Sequence, residues 1–305
     1  MLYLLVPISF LVGAAAGGYL AWTWRGRREP DPVTRRQKLK LVIGTALATI
    51  LLIALTGYGV LRLGMKATKM SKASTGEAVD DFRKTHGGAK QQAGMPPPGV
   101  YTYLTKGYLK AESKLLGNAH MPLPESIPAV LVAKADCFDL ELRLFKENHR
   151  SEKFCREGSK GFKIVERWET NEMFGIKNFV RQKSSPHGLL GPDGDPKPGS
   201  TWKMSWTVTE NTSTMPLPVS RPDIHLTVTY VGLTSLDIGG KKVPAHHLSQ
   251  SASYTGGVAG KLDREVYYSA DSFMMLKLHE KSVAGGLATM KFDREYVLES
   301  LTPKQ

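Results

Sequence analysis

Four acidic side chains come closest to a catalytic arrangement in this chain: Asp263 and Glu265 in KLDREVYY, and Asp293 and Glu295 in KFDREYVL. Two carboxylates flanking a glycosidic bond can divide acid, base and nucleophile roles between them, as in glycosidases. Here each pair has an arginine inside it, Arg264 or Arg294, so cross-strand salt bridges are the simpler expectation. An enzyme of this kind would be a hydrolase that fails when Asp263 or Glu295 is replaced.

The other chemical motifs are incomplete. GGVAGKL approaches a phosphate-binding loop, but the first glycine of that pattern falls on Thr255, and Leu262 stands where a magnesium-binding Ser or Thr is needed. His246 and His247 are adjacent, so in a strand they point to opposite faces and cannot share a metal. His279 in HEKS has no second histidine at helical spacing. Asp193 and Asp195 in GPDGDP are turn formers before they are calcium ligands. Asn211 begins an Asn-Thr-Ser glycosylation sequon. No Gly-x-Ser-x-Gly elbow occurs. The reading is therefore no catalytic residue, no metal site and no cofactor. Cys137 and Cys155, the chain's two cysteines, are expected to form a disulfide across two strands joined by the turn in ENHRSEKF.

The elements that would position these residues are mostly strands. From Gly99 onward the chain alternates apolar and polar residues in runs such as AVLVAKADCFDLELRLF, TWKMSWTVTE and IHLTVTYVGLTSLDI. Leu140, Leu142 and Leu144 share one face; Glu141, Arg143 and Phe145 share the other. Glycine and proline punctuation, as in GPDGDPKPGS and DIGGKK, supplies the reversals. The expected fold class is mainly β: a curled or partly closed antiparallel sheet over 99–305. KLDREVYY and KFDREYVL read as two similar strands of one meander.

Residues 64–98 predict a stalk helix and a proline-rich linker. Ser74 and Glu77 have capping-box spacing, Ala78, Val79 and Phe82 fall on one helical face, and Gly87-Gly88 stops a helix of about Thr75 to His86. MPPPG then favours an extended break.

Residues 1–63 predict a transmembrane hairpin. Leu2 to Trp24 and Leu41 to Leu61 lack any charged side chain, and each is long enough to cross a bilayer as a helix. Between them, the loop 25–40 carries Arg25, Arg27, Arg28, Arg35, Arg36, Lys38 and Lys40 against Glu29 and Asp31, which marks a cytoplasmic loop with both termini and the large domain outside. A cleaved signal peptide ending near Ala14-Ala15-Ala16 is the alternative, and would reverse that topology.

Net charge is +13. The first 63 residues contribute eight basic and two acidic side chains, leaving 33 basic against 26 acidic, or +7, for the rest. No basic and aromatic recognition motif accompanies that charge, so nucleic acid is not an expected partner. A positive field of this size suits anionic lipid headgroups or acidic envelope polymers.

The layout of two spans and a basic loop, EAVDDFRK, a proline break, PGVYTYLTKGY, the Cys pair, FGIKNF and LDREVYYSADSFMMLKL resembles a group of uncharacterised actinobacterial membrane-anchored envelope proteins. The strand pattern is similar to the curled β folds of LolA- and LppX-type lipoprotein carriers. That resemblance implies a bacterial plasma membrane location and a concave apolar face that holds acyl chains; it transfers no functional residue, and the apolar side of the strands supplies Leu142 and Met275 as candidate ligand-face positions. The expected function is a membrane-anchored, extracytoplasmic module binding a lipid or other hydrophobic envelope component. The alternative is a scaffold or accessory interaction domain for another envelope protein.

Overall fold

In the computed structural model the described residues are 71–305, apart from 114–116, 159–160, 174–175, 214–222, 255–258 and 286–288. Alternation decides the architecture. In CFDLELRLF the leucines at 140, 142 and 144 are buried while Asp139 is exposed. A register shift between Arg143 and Phe145 buries Phe145 as well, against the expectation that it shares the outer face with Glu141.

Thirteen strands follow this logic: β1 Gly99–Ser113, β2 Gly117–Pro122, β3 Ser126–Lys134, β4 Cys137–Phe145, β5 Asn148–Arg156, β6 Phe162–Met173, β7 Ile176–Ser185, β8 Thr201–Ser213, β9 Ile224–Ile238, β10 Lys241–Tyr254, β11 Ala259–Ser269, β12 Met275–Gly285 and β13 Thr289–Leu298. From β3 to β13 each strand pairs antiparallel with the next, and β1 joins β3 on one side and β13 on the other. The sheet is therefore a closed barrel of 12 strands, with β2 paired to the far half of β1. This corrects the expected curled or partly closed sheet. The closing pairs, from Tyr103 with Leu298 to Glu112 with Thr289, join strands at opposite ends of the domain, which a reading of neighbouring segments does not see.

Two places show why the sequence turns and closes where it does. Gly239 and Gly240 both adopt positive φ, 57° and 78°, as a two-residue hairpin turn between β9 and β10 demands. Gly107 has φ 115°, and a methyl group there would sit 1.9 Å from the carbonyl oxygen of Asp293 on β13. The closing seam depends on that missing side chain.

Helix α1, Thr75–His86, has the expected bounds. Ser74 makes no side-chain cap, however, and Glu77 instead pairs with Lys146 at 2.7 Å. Ala78 and Phe82 pack on Val100 and Val130, and Asp81 accepts from Arg143 at 2.8 Å. The helix thus packs on the outside of the barrel wall. The proline segment is also part of the domain: Met95, Pro96 and Pro98 are buried, and the Tyr101 hydroxyl donates to the Pro97 carbonyl at 2.5 Å. The C-terminal segment returns to the same corner, where Val100 and Lys304 exchange backbone hydrogen bonds.

The spans expected at 2–24 and 41–61 and the loop 25–40 lie outside the described residues. Among the described residues no helix is long and apolar enough to cross a membrane. The integral bilayer partner, the membrane anchoring and the extracytoplasmic address were expected from residues 1–63; the described residues form instead a β-barrel with one short packed helix.

Cys137 and Cys155 face each other across β4 and β5 and are disulfide-bonded, as expected. Replacing both by Ser is expected to lower stability by about 2–3 kcal/mol, given a separation of 18 residues. Urea denaturation of the oxidised chain and of the double variant measures the difference.

Candidate functional site

The interior of the barrel divides into an aromatic layer and an ionic layer. The aromatic layer lies toward the start of β1. Phe138 stacks on Phe154 at 4.7 Å, Phe154 meets Tyr268 edge-on at 5.9 Å, and Phe162 links Phe138 to Phe273. Beyond it, inward positions carry charge. Arg150 and Glu152 come from β5, Gln250 from β10, Arg264 from β11, Glu280 from β12 and Arg294 from β13. Register explains the gathering, because Gln250, Arg264, Glu280 and Arg294 are directly opposite one another on successive strands and so share one face.

Glu280 is the hub. Its carboxylate lies 2.9 Å from Arg264 Nε and 3.3 Å from Arg150 Nη1, and it accepts from both Nε and Nη2 of Arg294. Glu152 takes Arg150 at 2.6 Å and Arg264 at 3.8 Å. Arg150 and Glu152 belong to one wall, Arg264 and Glu280 to the opposite one, so these contacts cross the barrel. Tyr103 on β1 reaches past β13 along the same wall, its hydroxyl donating to the Met275 carbonyl on β12 at 2.5 Å.

Burial alone would raise the carboxyl pKa values of Glu280 and Glu152, but the surrounding guanidiniums outweigh it and hold both below the ordinary range. Arg150 is held above its usual value by Glu152 and Glu280 in spite of burial. Arg167, whose guanidinium lies 5.1 Å from the Trp206 ring centroid, is pushed down to about 10 by burial and then by the charges of Arg150 and Arg264.

The sign of the pH dependence follows. Both folded carboxyl pKa values lie below the unfolded value of 4.5, so their contribution is fully present above that pH and is lost as pH falls below it. Unfolding in that acid window is expected to take up about two protons from this pair. Urea titrations between pH 7 and pH 3 should show stability falling below about pH 4.5, with a shallower fall in Glu280→Gln; an unchanged slope in that variant would show that Glu280 is not responsible.

The structure rearranges the expected acidic quartet. Arg264 and Arg294 point inward, whereas Asp293, Glu265 and Glu295 make their contacts with outward neighbours: His279 with Asp293 at 3.0 Å, His247 with Glu265 at 2.5 Å and Lys277 with Glu295 at 2.6 Å. The arginines thus bridge to Glu280 and Glu152 rather than to the acids beside them in sequence. Strand alternation, already visible in KLDREVYY, was the signal for this. Ser249 also donates to Glu265, at 2.6 Å. Ser249 and His247 are therefore joined through one carboxylate rather than to each other, which is not the hydroxyl–imidazole–carboxylate order of a nucleophilic triad. His246 turns away to the Tyr230 hydroxyl at 3.1 Å, and burial lowers its pKa.

Leu142 and Met275 are buried, and both belong to the packed core. Around them stand Arg150, opposite Leu142 on β5, and Tyr103, bonded to the Met275 carbonyl. Aromatic and ionic side chains also meet across the barrel, Phe154 with Tyr268 and Arg150 with Glu280.

No protein-family model matches the chain, and no curated protein does. Among solved structures it is similar to a hypothetical lipoprotein, YmcC, from Escherichia coli, at 14% identity and a TM-score of 0.36, over 74% of this chain and 96% of that one. At that score the likeness carries no functional argument. The expected likeness to two-span actinobacterial proteins and to the curled fold of LolA- and LppX-type carriers is corrected by the closed 12-strand barrel.

Proposed function

We propose that this domain is a non-catalytic interaction module that works through its outer surface. The observation that carries the reading is the meeting of opposite walls: Arg150 with Glu280, Glu152 with Arg264 and Phe154 with Tyr268 occupy the interior with residues of the chain itself. A barrel held across its middle in this way is a rigid support, and its outer wall presents Leu104, Val231, Leu233 and Val283 to solvent. Exposed large apolar side chains on a rigid sheet are the raw material of a protein interface.

Native mass spectrometry of the purified chain tests this. The expected mass is that of the disulfide-bonded polypeptide. A small amphiphile retained by the folded chain, and released by Leu142→Glu in a variant that still folds, would overturn the reading.

A further inference from the structure

We infer that the second half of β9 is a docking edge for an extended, acidic peptide segment of a partner protein. This rests on the reading of the domain as an interaction module, and it names the surface and the chemistry of the partner. β8 begins at Thr201, opposite Thr229, and its contact with β9 ends at Tyr230, which is held by Ser200 and Gly199. From Leu233 to Asp237, β9 is paired only with β10.

The direction of the backbone groups follows from Pro244. Pro244 lies opposite Ser235, has no N–H, and gives its carbonyl to Ala270 N on the side away from β9. The Ser235–Pro244 pair is therefore one of the non-hydrogen-bonded pairs of the ladder, and the N–H and C=O of Ser235 point to the open side. Alternation gives the same direction to Leu233 and Asp237. Among the described residues no backbone group pairs with theirs. Among the described residues Leu233 is also the most exposed large hydrophobic side chain, at 63%. A row of unpaired backbone groups beside an exposed leucine is what an added strand recognises, main chain by hydrogen bonds and side chain by contact.

Charge selects the occupant. Residues 64–305 carry +7, so a second copy brought edge to edge meets like charge, and an acidic strand is drawn in. Locally, Lys241 and Lys242 at the hairpin tip are exposed, with Asp237 answering Lys242 at 3.7 Å; in the loop before β8 the exposed Lys197 is accompanied by Asp193 and Asp195, so the attraction for an acidic strand comes from the tip lysines and the excess over the whole domain.

The test uses the folded chain and two synthetic heptapeptides, one alternating glutamate with valine and one alternating lysine with valine. In the free protein the amides of Leu233, Ser235 and Asp237 should exchange rapidly with solvent. The glutamate peptide should slow them at least tenfold, and the lysine peptide should bind at least tenfold more weakly. Ser235→Pro removes one outward N–H without touching the β10 ladder and should weaken binding at least tenfold; Leu233→Pro serves in its place where Ser235→Pro does not fold. Amides already protected in the free chain, equal binding of the two peptides or an unaffected proline variant would overturn the inference. So would a dimer, seen by sedimentation, that Ser235→Pro abolishes. Partner contacts found at Leu104 or Val283 with a silent β9 edge would remove this edge alone, leaving the interaction module in place.

Discussion

Replacing Glu280 by Gln is expected to cost about 3–5 kcal/mol, or to prevent folding, because it leaves Arg150, Arg264 and Arg294 in the interior around a neutral group. The size of the effect comes from the three guanidiniums sharing one carboxylate. Each stays charged after the substitution, and Glu152 alone reaches only two of them. Arg294→Gln should cost less, since it removes charge from a network rich in arginine. Exchanging Glu280 and Arg264 together for Met should recover part of the loss, as apolar packing can replace a buried ion pair. Denaturation curves for the three variants give the order. A Glu280→Gln protein within about 1 kcal/mol of the parent would show that the network is not held by its hub.

Gly107→Ala is the second large effect. At φ 115° any side chain is strained, and the added methyl would lie 1.9 Å from the Asp293 carbonyl, an overlap that only backbone movement relieves. The movement opens the β1–β13 seam at the pair of Gly107 with Arg294, which also displaces an arm of the Glu280 network. A loss of at least about 3 kcal/mol is expected, from strain and overpacking together. Hydrogen exchange should locate it, with lost protection at the amides pairing β1 and β13 and retained protection on β4 and β5. A uniform change, or none, would place the closure elsewhere.

Much of the wall was legible in the sequence. Period two marked strands from Gly99 on, glycines marked the β9–β10 turn, Gly87-Gly88 marked the end of α1, and two cysteines at a hairpin spacing marked the disulfide. What was not legible depended on partners distant in the chain. Closure pairs β1 with β13, and the cross-barrel contacts join residues 130 positions apart, as Arg150 and Glu280 are. The proline segment reads as a linker because its composition says only that it is extended; its burial comes from β1 and the C-terminal residues that close over it. Leu142 and Met275 are buried in the core beside Arg150 and Tyr103, whose inward direction no local pattern of apolar residues announces.

The same network bears on function. A charged interior shared by β5, β11, β12 and β13 makes the barrel costly to open, so a ligand would have to displace ion pairs to enter. The outer wall requires no such displacement, and its open β9 edge and exposed leucines are available in the resting fold.

Photo-leucine incorporated throughout the chain in intact cells, irradiated and mapped by peptide mass spectrometry, tests that division most directly. The account predicts adducts to another protein at Leu233 or Leu104 on the outer wall, with Leu140 and Leu142 joined only to neighbours within the barrel. Lipid or small-molecule adducts on Leu142, with no protein adduct on the outer wall, would contradict it.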